Sequence, residues 1–68
     1  MKSISGKDFI KLLEKRGWIL KRINGSHFIY TQPQKTEIIS VPVHKNEDLK
    51  RGLLHKLMDF SNMSENEL

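Results

Sequence analysis

The spacing of apolar residues predicts an amphipathic helix near the start of the chain. Phe9, Leu12 and Leu13 follow i, i+3, i+4 spacing. The residues expected to face water are Lys7, Lys11, Glu14 and Lys15. Ser5 stands where a helix N-cap is expected, and Gly17 can end the helix in a left-handed conformation. The pattern therefore predicts a first helix over about 6–16, with its apolar stripe facing a core.

A second stripe of apolar residues predicts another helix near the other end. The stripe consists of Leu49, Leu53, Leu57 and Phe60, with Leu54 and Met58 beside it. With Asn46 as its N-cap, this helix should run over about 47–61. Gly52 then lies inside a helix, where glycine costs about 1 kcal/mol relative to alanine, so close packing against the sheet or a ligand is expected there.

Between the helices, two segments rich in β-branched and aromatic residues predict a hairpin. They cover residues 18–23 and 26–31, and Asn24-Gly25 between them is typical of a two-residue type I′ turn. Such a turn pairs Ile23/Ser26, Arg22/His27, Lys21/Phe28, Leu20/Ile29 and Ile19/Tyr30. Arg22 is then expected directly across from His27, on the same side of the sheet.

A third strand is predicted over residues 36–43, after a break at residues 32–35. Pro42 limits this strand to a sheet edge or ends its ladder, because proline has no N–H to donate. The order is α-β-β-β-α, an α+β class domain with a three-stranded antiparallel sheet. We expect residues 1–68 to form a single domain with both helices on one face of the sheet and the other face open.

The charge of the chain is unevenly distributed. Its formal net charge is +4, but residues 1–56 carry +7 and residues 57–68 carry −3. A strongly basic region such as residues 1–56 favours a polyanionic partner, for example a nucleic acid. An ordinary solvated surface with scattered lysines is the alternative interpretation.

Composition narrows the class of protein further. The chain has no cysteine, so neither a disulfide framework nor a thiolate zinc site can support the fold. Its N-terminus lacks the apolar run of a secretion signal, and no segment approaches the ~20 apolar residues of a membrane span. We expect a soluble protein of the cytoplasm that does not bind a membrane and needs no small-molecule cofactor.

His27 is the candidate for chemistry. A histidine titrates near neutral pH and an arginine can bind a phosphate. His27 and Arg22 together could therefore carry out general acid/base catalysis on a phosphodiester. A strand histidine opposite an arginine is also common as an ordinary surface feature. Ser26 cannot activate His27 as a dyad, since adjacent strand residues point to opposite faces. The three histidines lie in different elements, without ligand spacing, so no metal site is predicted.

Several short motifs together resemble those of a known family, the HicA (YcfA-like) toxins. They are Gly17-Trp18, Arg22, Gly25-Ser26-His27, Val41-Pro42-x-His44 and Leu49-Lys50-x-Gly52-x-Leu54, and they span nearly the whole chain. The resemblance implies a fold like that of a double-stranded-RNA-binding domain. Leu53 departs from the pattern, since many members have threonine after the helix glycine.

The resemblance also implies an activity and its partners. Such toxins are mRNA interferases, endoribonucleases that cut mRNA and are held inactive by a HicB-like antitoxin protein. The catalytic histidine of the Gly-Ser-His motif is His27 here, and Arg22, Lys21, Gly25 and Ser26 are expected to contact RNA. The second acid or base stays open between His44, Lys21 and water.

Two other classes of function fit the same residues. One is a non-catalytic RNA-binding module, whose basic sheet face grips phosphates and 2′-hydroxyls without cutting. The other is an interaction protein whose open face serves only to bind a partner chain.

Overall fold

Two helices flank three strands in this chain, in a computed structural model that describes residues 3–34 and 36–68. The elements are α1 (Gly6–Lys15), β1 (Ile19–Asn24), β2 (His27–Thr31), β3 (Ile38–Pro42) and α2 (Arg51–Ser61), followed by a short 3-10 helix (Glu65–Glu67). The predicted α+β order is confirmed, and the fold is like that of a double-stranded-RNA-binding domain. The predicted break before β3 includes Lys35, which lies outside the described residues.

Helix α1 begins and ends where its capping residues predict. The Ser5 side chain accepts a hydrogen bond from the Asp8 backbone N–H at 3.1 Å. At the other end, Gly17 is left-handed with φ 91°, and its N–H donates to the Glu14 carbonyl. The Trp18 N–H donates to the Leu13 carbonyl, and both of these side chains are buried. This pattern of bonds is a Schellman motif, which fixes the direction in which the chain enters β1.

The sheet has the order β1-β2-β3 and is antiparallel throughout. Its inner face is covered by the helices, and the two helices and the sheet share one core cluster, formed by Phe9, Leu13, Trp18, Tyr30, Ile39, Val41, Leu49, Leu54, Leu57, Met58 and Met63. Strand β3 is an edge strand that ends at Pro42, as predicted. No helix of the described residues packs on the opposite, outer face, which confirms the prediction of an open face.

Helix α2 starts later than its apolar spacing predicts. It begins at Arg51, with Lys50 as an N-cap that makes no side-chain hydrogen bond, so the prediction of Asn46 as the cap was wrong. Instead, Asp48 forms a β-bridge with Ser5, and the Leu49 N–H donates to the Ile4 carbonyl at 2.8 Å. This pairing with a distant part of the chain holds residues 48–49 extended and delays the helix.

The buried stripe of α2 is also rotated from the predicted one. Its buried residues are Leu54, Leu57, Met58 and Ser61, whereas Phe60 is 52% exposed. A Cβ added at Gly52 would meet no atom within 4 Å, so the predicted close packing of this glycine against the sheet is wrong. Gly52 lies in the first turn of α2, on the solvent side.

Arg16 joins the end of α1 to the C-terminal residues. Its guanidinium donates to the Asn62 carbonyl at 3.0 Å and forms an ion pair with Glu67. Asn62 ends α2 in a left-handed conformation, and Ser64 forms a capping box with Glu67. Among the described residues, no helix is long and apolar enough to cross a membrane.

Candidate active site on the open sheet face

The turn that presents His27 differs by one residue from the predicted turn. Asn24 pairs with His27, so the two-residue loop is Gly25-Ser26 and not Asn24-Gly25. Gly25 has φ 64°, while neither Asn24 nor Ser26 has positive φ. Glycine at the first central position is typical of a type II′ turn, whereas the predicted type I′ turn needs positive φ at both central positions. Asn24 is therefore a strand residue, and the prediction of a type I′ turn was wrong.

The cross-strand pairs change with the turn. Arg22 pairs with Ile29 and not with His27, and the other observed pairs are Ile19/Thr31, Leu20/Tyr30, Ile23/Phe28 and Asn24/His27, so the five predicted pairs were wrong. A β-bulge between Leu20 and Arg22 leaves Lys21 without a partner in the register. The register that starts at the turn places Arg22 on the outer face opposite Ile29, and the bulge then shifts the alternation of β1 by one residue, which places Leu20 opposite Tyr30 on the inner face.

Three rows of side chains cross the outer face. The register defines them as Asn24, His27 and Pro42; then Arg22, Ile29 and Ser40; then Ile19, Thr31 and Ile38. Neighbouring rows lie about 7 Å apart, because each is two residues further along its strand. Arg22 and His27 therefore share the face, as predicted, but as diagonal neighbours about 7–8 Å apart at Cα and not as a direct pair.

Ser40 on β3 contacts the ring of His27. Its Oγ lies 3.4 Å from Nδ1 of His27, and both side chains are exposed. Ser40 was missed at the level of sequence, because the contact depends on the register between β2 and β3. The only signal for it is alternation: Ser40 is the polar residue between Ile39 and Val41, whose side chains face the core.

The turn itself is tied to the end of β3. The Ser26 carbonyl accepts a hydrogen bond from the Val43 N–H at 2.8 Å. His27 in turn pairs with Pro42, so the backbone around the Gly-Ser-His motif is held on its β3 side. The histidine ring is thus carried by the central strand and not by a free loop.

The remaining predicted site residues lie around this face. Lys21 is exposed at the bulge of β1. His44 is exposed in the turn after β3, beside a depression of about 160 Å³ that Pro42 and Leu53 also line. Among residues 3–34 and 36–68, no hydrogen bond joins His44 to His27.

The outer face combines positive charge with apolar patches. None of the nine residues in its three rows is acidic, and Arg22 lies in its middle row. Ile29 is only 9% exposed between Arg22 and Ser40, whereas Ile19 and Ile38 are 54% and 52% exposed. Within the described part of the chain, no three histidine, aspartate or glutamate side chains form a group that could hold a metal ion.

Comparison with known proteins identifies the family of this chain. The family model described as the HicA toxin of bacterial toxin–antitoxin systems matches residues 6–60, which include α1, all three strands and nearly all of α2. A search of curated proteins finds no match. Because the matched region covers most of the 68 residues, the chain belongs to the HicA toxin family.

Proposed function

We propose that this protein is an endoribonuclease, an mRNA interferase in which His27 is the catalytic residue. The observation that carries the proposal is an exposed histidine on an open face whose nine row residues include no carboxylate, in a chain of the HicA toxin family. A face of this kind is accessible to a phosphodiester and does not repel it. The family match supports a toxin, and the chemistry of the face supports RNA as its target.

The proposed reaction starts at the ribose 2′-hydroxyl of RNA. His27 takes the proton of this hydroxyl through Nε2 while the 2′-oxygen attacks the adjacent phosphorus. The bond from phosphorus to the 5′-oxygen breaks, which leaves a 2′,3′-cyclic phosphate and a 5′-hydroxyl. The leaving oxygen takes its proton from a second donor, for which Lys21, His44 and water are the candidates.

Arg22 has a separate role in this proposal. Arg22 is a diagonal neighbour of His27 on the same face, from which its guanidinium can donate two hydrogen bonds to a phosphate. It is proposed to hold the RNA backbone and to stabilise the charge that develops on phosphorus. Lys21, Gly25 and Ser26 border the same face and are proposed as further contacts with RNA.

We further propose that an antitoxin inhibits the protein by covering the outer face. Ile19 and Ile38 stand at either end of one row, about 13 Å from the row of His27, as two row spacings imply. Exposed isoleucines contribute little to RNA binding, which depends on cations and stacking, but they suit a protein interface. A partner that binds these residues and Arg22 would also block access to His27.

RNA cleavage by two single-residue variants tests the proposal. Purified wild type, His27→Ala and Arg22→Ala are incubated with a long single-stranded RNA at the same salt concentration. His27→Ala should lower the cleavage rate by about 10²–10⁴-fold with RNA affinity retained, because general acid/base transfer contributes about that much. Arg22→Ala should lower both the cleavage rate and the RNA affinity. It should also reduce the slope of log affinity against log salt concentration by about one.

Circular dichroism of the variants separates catalysis from folding. His27 is exposed, so its replacement by alanine should cost at most about 1 kcal/mol of stability. Cleavage at the wild-type rate by a folded His27→Ala variant would rule out His27 as the catalyst. Binding of RNA without cleavage by the wild type would favour the non-catalytic RNA-binding module.

A further inference from the structure

The contact between His27 and Ser40 distinguishes the two nitrogens of the imidazole. Nδ1 lies 3.4 Å from Ser40 Oγ, whereas Nε2 has no hydrogen-bond partner within residues 3–34 and 36–68. Ser40 is on β3, which is hydrogen-bonded to β2 along its length, so its position relative to His27 is set by the sheet. The ring is therefore held from one side, and its other nitrogen is left for a ligand.

We infer that Ser40 is a positioning residue that accepts a hydrogen bond from Nδ1–H of His27 and so keeps the lone pair on Nε2. The inference rests on the proposed function, because a general base needs that lone pair to face the 2′-hydroxyl. In a neutral imidazole, one nitrogen carries the proton and the other accepts, and the partner of one nitrogen decides which. Ser40 determines this choice in the same way as the carboxylate or carbonyl behind many catalytic histidines.

A hydrogen bond that Ser40 accepts from Nδ1–H of His27, and not one that it donates to Nδ1, is consistent with the proton transfer in the reaction. When Nε2 takes the proton of the 2′-hydroxyl, the imidazole becomes a cation and both nitrogens become donors. A serine oxygen that accepts from Nδ1–H keeps its bond before and after this transfer. A serine that donates to Nδ1 would have to turn away as the ring becomes charged. The separation of 3.4 Å is long for such a bond, and contacts of this kind often tighten when substrate binds.

Nitrogen NMR of His27 tests the inference without RNA. The ¹⁵N shifts of the ring report which nitrogen carries the proton in the neutral imidazole. Wild type should show mainly the Nδ1–H form. Ser40→Ala should shift the tautomers toward Nε2–H, and Ser40→Thr should restore the wild-type ratio because it keeps the hydroxyl and suits a strand. Thr31→Ala is the matched control, since it removes a hydroxyl from the same face about 13 Å from His27.

The cleavage assay gives a second readout. Ser40→Ala should lower the rate at saturating RNA by about 10–100-fold, a typical loss for an orienting partner, and should leave RNA affinity unchanged. Ser40→Thr should recover most of the wild-type cleavage rate, and Thr31→Ala should cleave at the wild-type rate.

Two results would overturn the inference. One is a wild-type His27 that is mainly Nε2–H, and the other is a tautomer ratio unaffected by Ser40→Ala. If wild type cuts no RNA, the proposed function fails, while the tautomer ratios still decide whether Ser40 sets the protonated nitrogen.

Discussion

The hydroxyl of Tyr30 joins α1 to the central strand of the sheet. Tyr30 is fully buried on the inner face, and its Oη donates to Oε2 of Glu14 at 2.7 Å. Burial raises the pKa of Tyr30 above its usual value, and the hydrogen bond to Glu14 and the charge of Glu14 act in the same direction. The folded protein therefore holds this proton more tightly than the unfolded chain does.

This pKa shift predicts a loss of stability in alkaline solution. Tyr30 loses its proton near pH 10 when unfolded, so its contribution to stability is complete below about pH 10 and is lost as the pH rises further. Tyr30→Phe should cost about 1 kcal/mol at neutral pH through the lost hydrogen bond, and should remove this part of the alkaline loss. Urea unfolding of both proteins at neutral pH and above pH ~10 measures the difference.

Comparison between the two proteins is essential, because only the difference between them isolates the contribution of the Tyr30 hydroxyl. Tyr30 is the only tyrosine, so its ionisation can be followed separately by ultraviolet difference spectroscopy. If the free energies of unfolding of Tyr30→Phe and wild type fall in parallel with pH, the shift assigned to Tyr30 is wrong.

At the scale of elements, the hairpin turn depends on one glycine. Gly25 has φ 64°, a left-handed conformation that costs a residue with a Cβ about 1–2 kcal/mol. Its surroundings are open, since a Cβ there would meet no atom within 4 Å, so backbone strain alone should decide the effect. Gly25→Ala is expected to lower the free energy of unfolding by about that amount, measured in urea.

Gly52→Ala is the matched control for this prediction. Gly52 is equally open, but it lies in the first turn of α2 and has no positive φ. Alanine should therefore leave stability unchanged or raise it by up to about 1 kcal/mol. Equal effects of the two substitutions would show that the turn imposes no left-handed constraint.

The hairpin could be predicted from sequence, but its register could not. Loops at Asn24-Gly25 and at Gly25-Ser26 both have two residues and both place glycine at a position that tolerates positive φ. The choice depends on packing of the strands, including the bulge at Lys21, and this is not a local property. The observed partner of Arg22 lies two residues along β2 from the predicted one, so Arg22 and His27 still share a face.

The start of α2 could not be predicted from the sequence for a similar reason. Residues 46–48 have good local capping chemistry, but residues 48 and 49 pair with Ser5 and Ile4 instead. That pairing joins segments about forty residues apart, which no local pattern records. The contact of Ser40 with His27 was missed in the same way, whereas α1 was predicted well because its Ser5 cap and Schellman end are local.

At the scale of the whole molecule, we predict that RNA cleavage does not need a metal ion. The described residues contain no group of ligands for one, and RNA carries its own nucleophile in the 2′-hydroxyl. Cleavage should therefore proceed at an unchanged rate in EDTA. Loss of cleavage on chelation, with recovery on addition of Zn²⁺ or Mn²⁺, would refute the prediction.

The outer face also predicts how the antitoxin is recognised. It has exposed isoleucines at both ends of one row and Arg22 in the next row, and none of its nine row residues is acidic. A partner that covers it should place apolar side chains against Ile19 and Ile38 and acidic side chains near Arg22. Tagged His27→Ala protein, expressed in the native host, should co-purify with a small protein of this character.

Substitutions on the two faces of the molecule locate that contact. Ile19→Asp combined with Ile38→Asp should weaken binding to the purified partner by at least about 10-fold, because the interface would bury unpaired carboxylates. Phe60→Asp is the control, since Phe60 is as exposed as Ile38 but lies on α2, on the helical side of the sheet. Calorimetric titration measures both affinities, and circular dichroism checks that each variant is folded. Equal losses for the two variants, or no loss for the isoleucine pair, would place the antitoxin elsewhere and leave its inhibition of His27 without a steric basis.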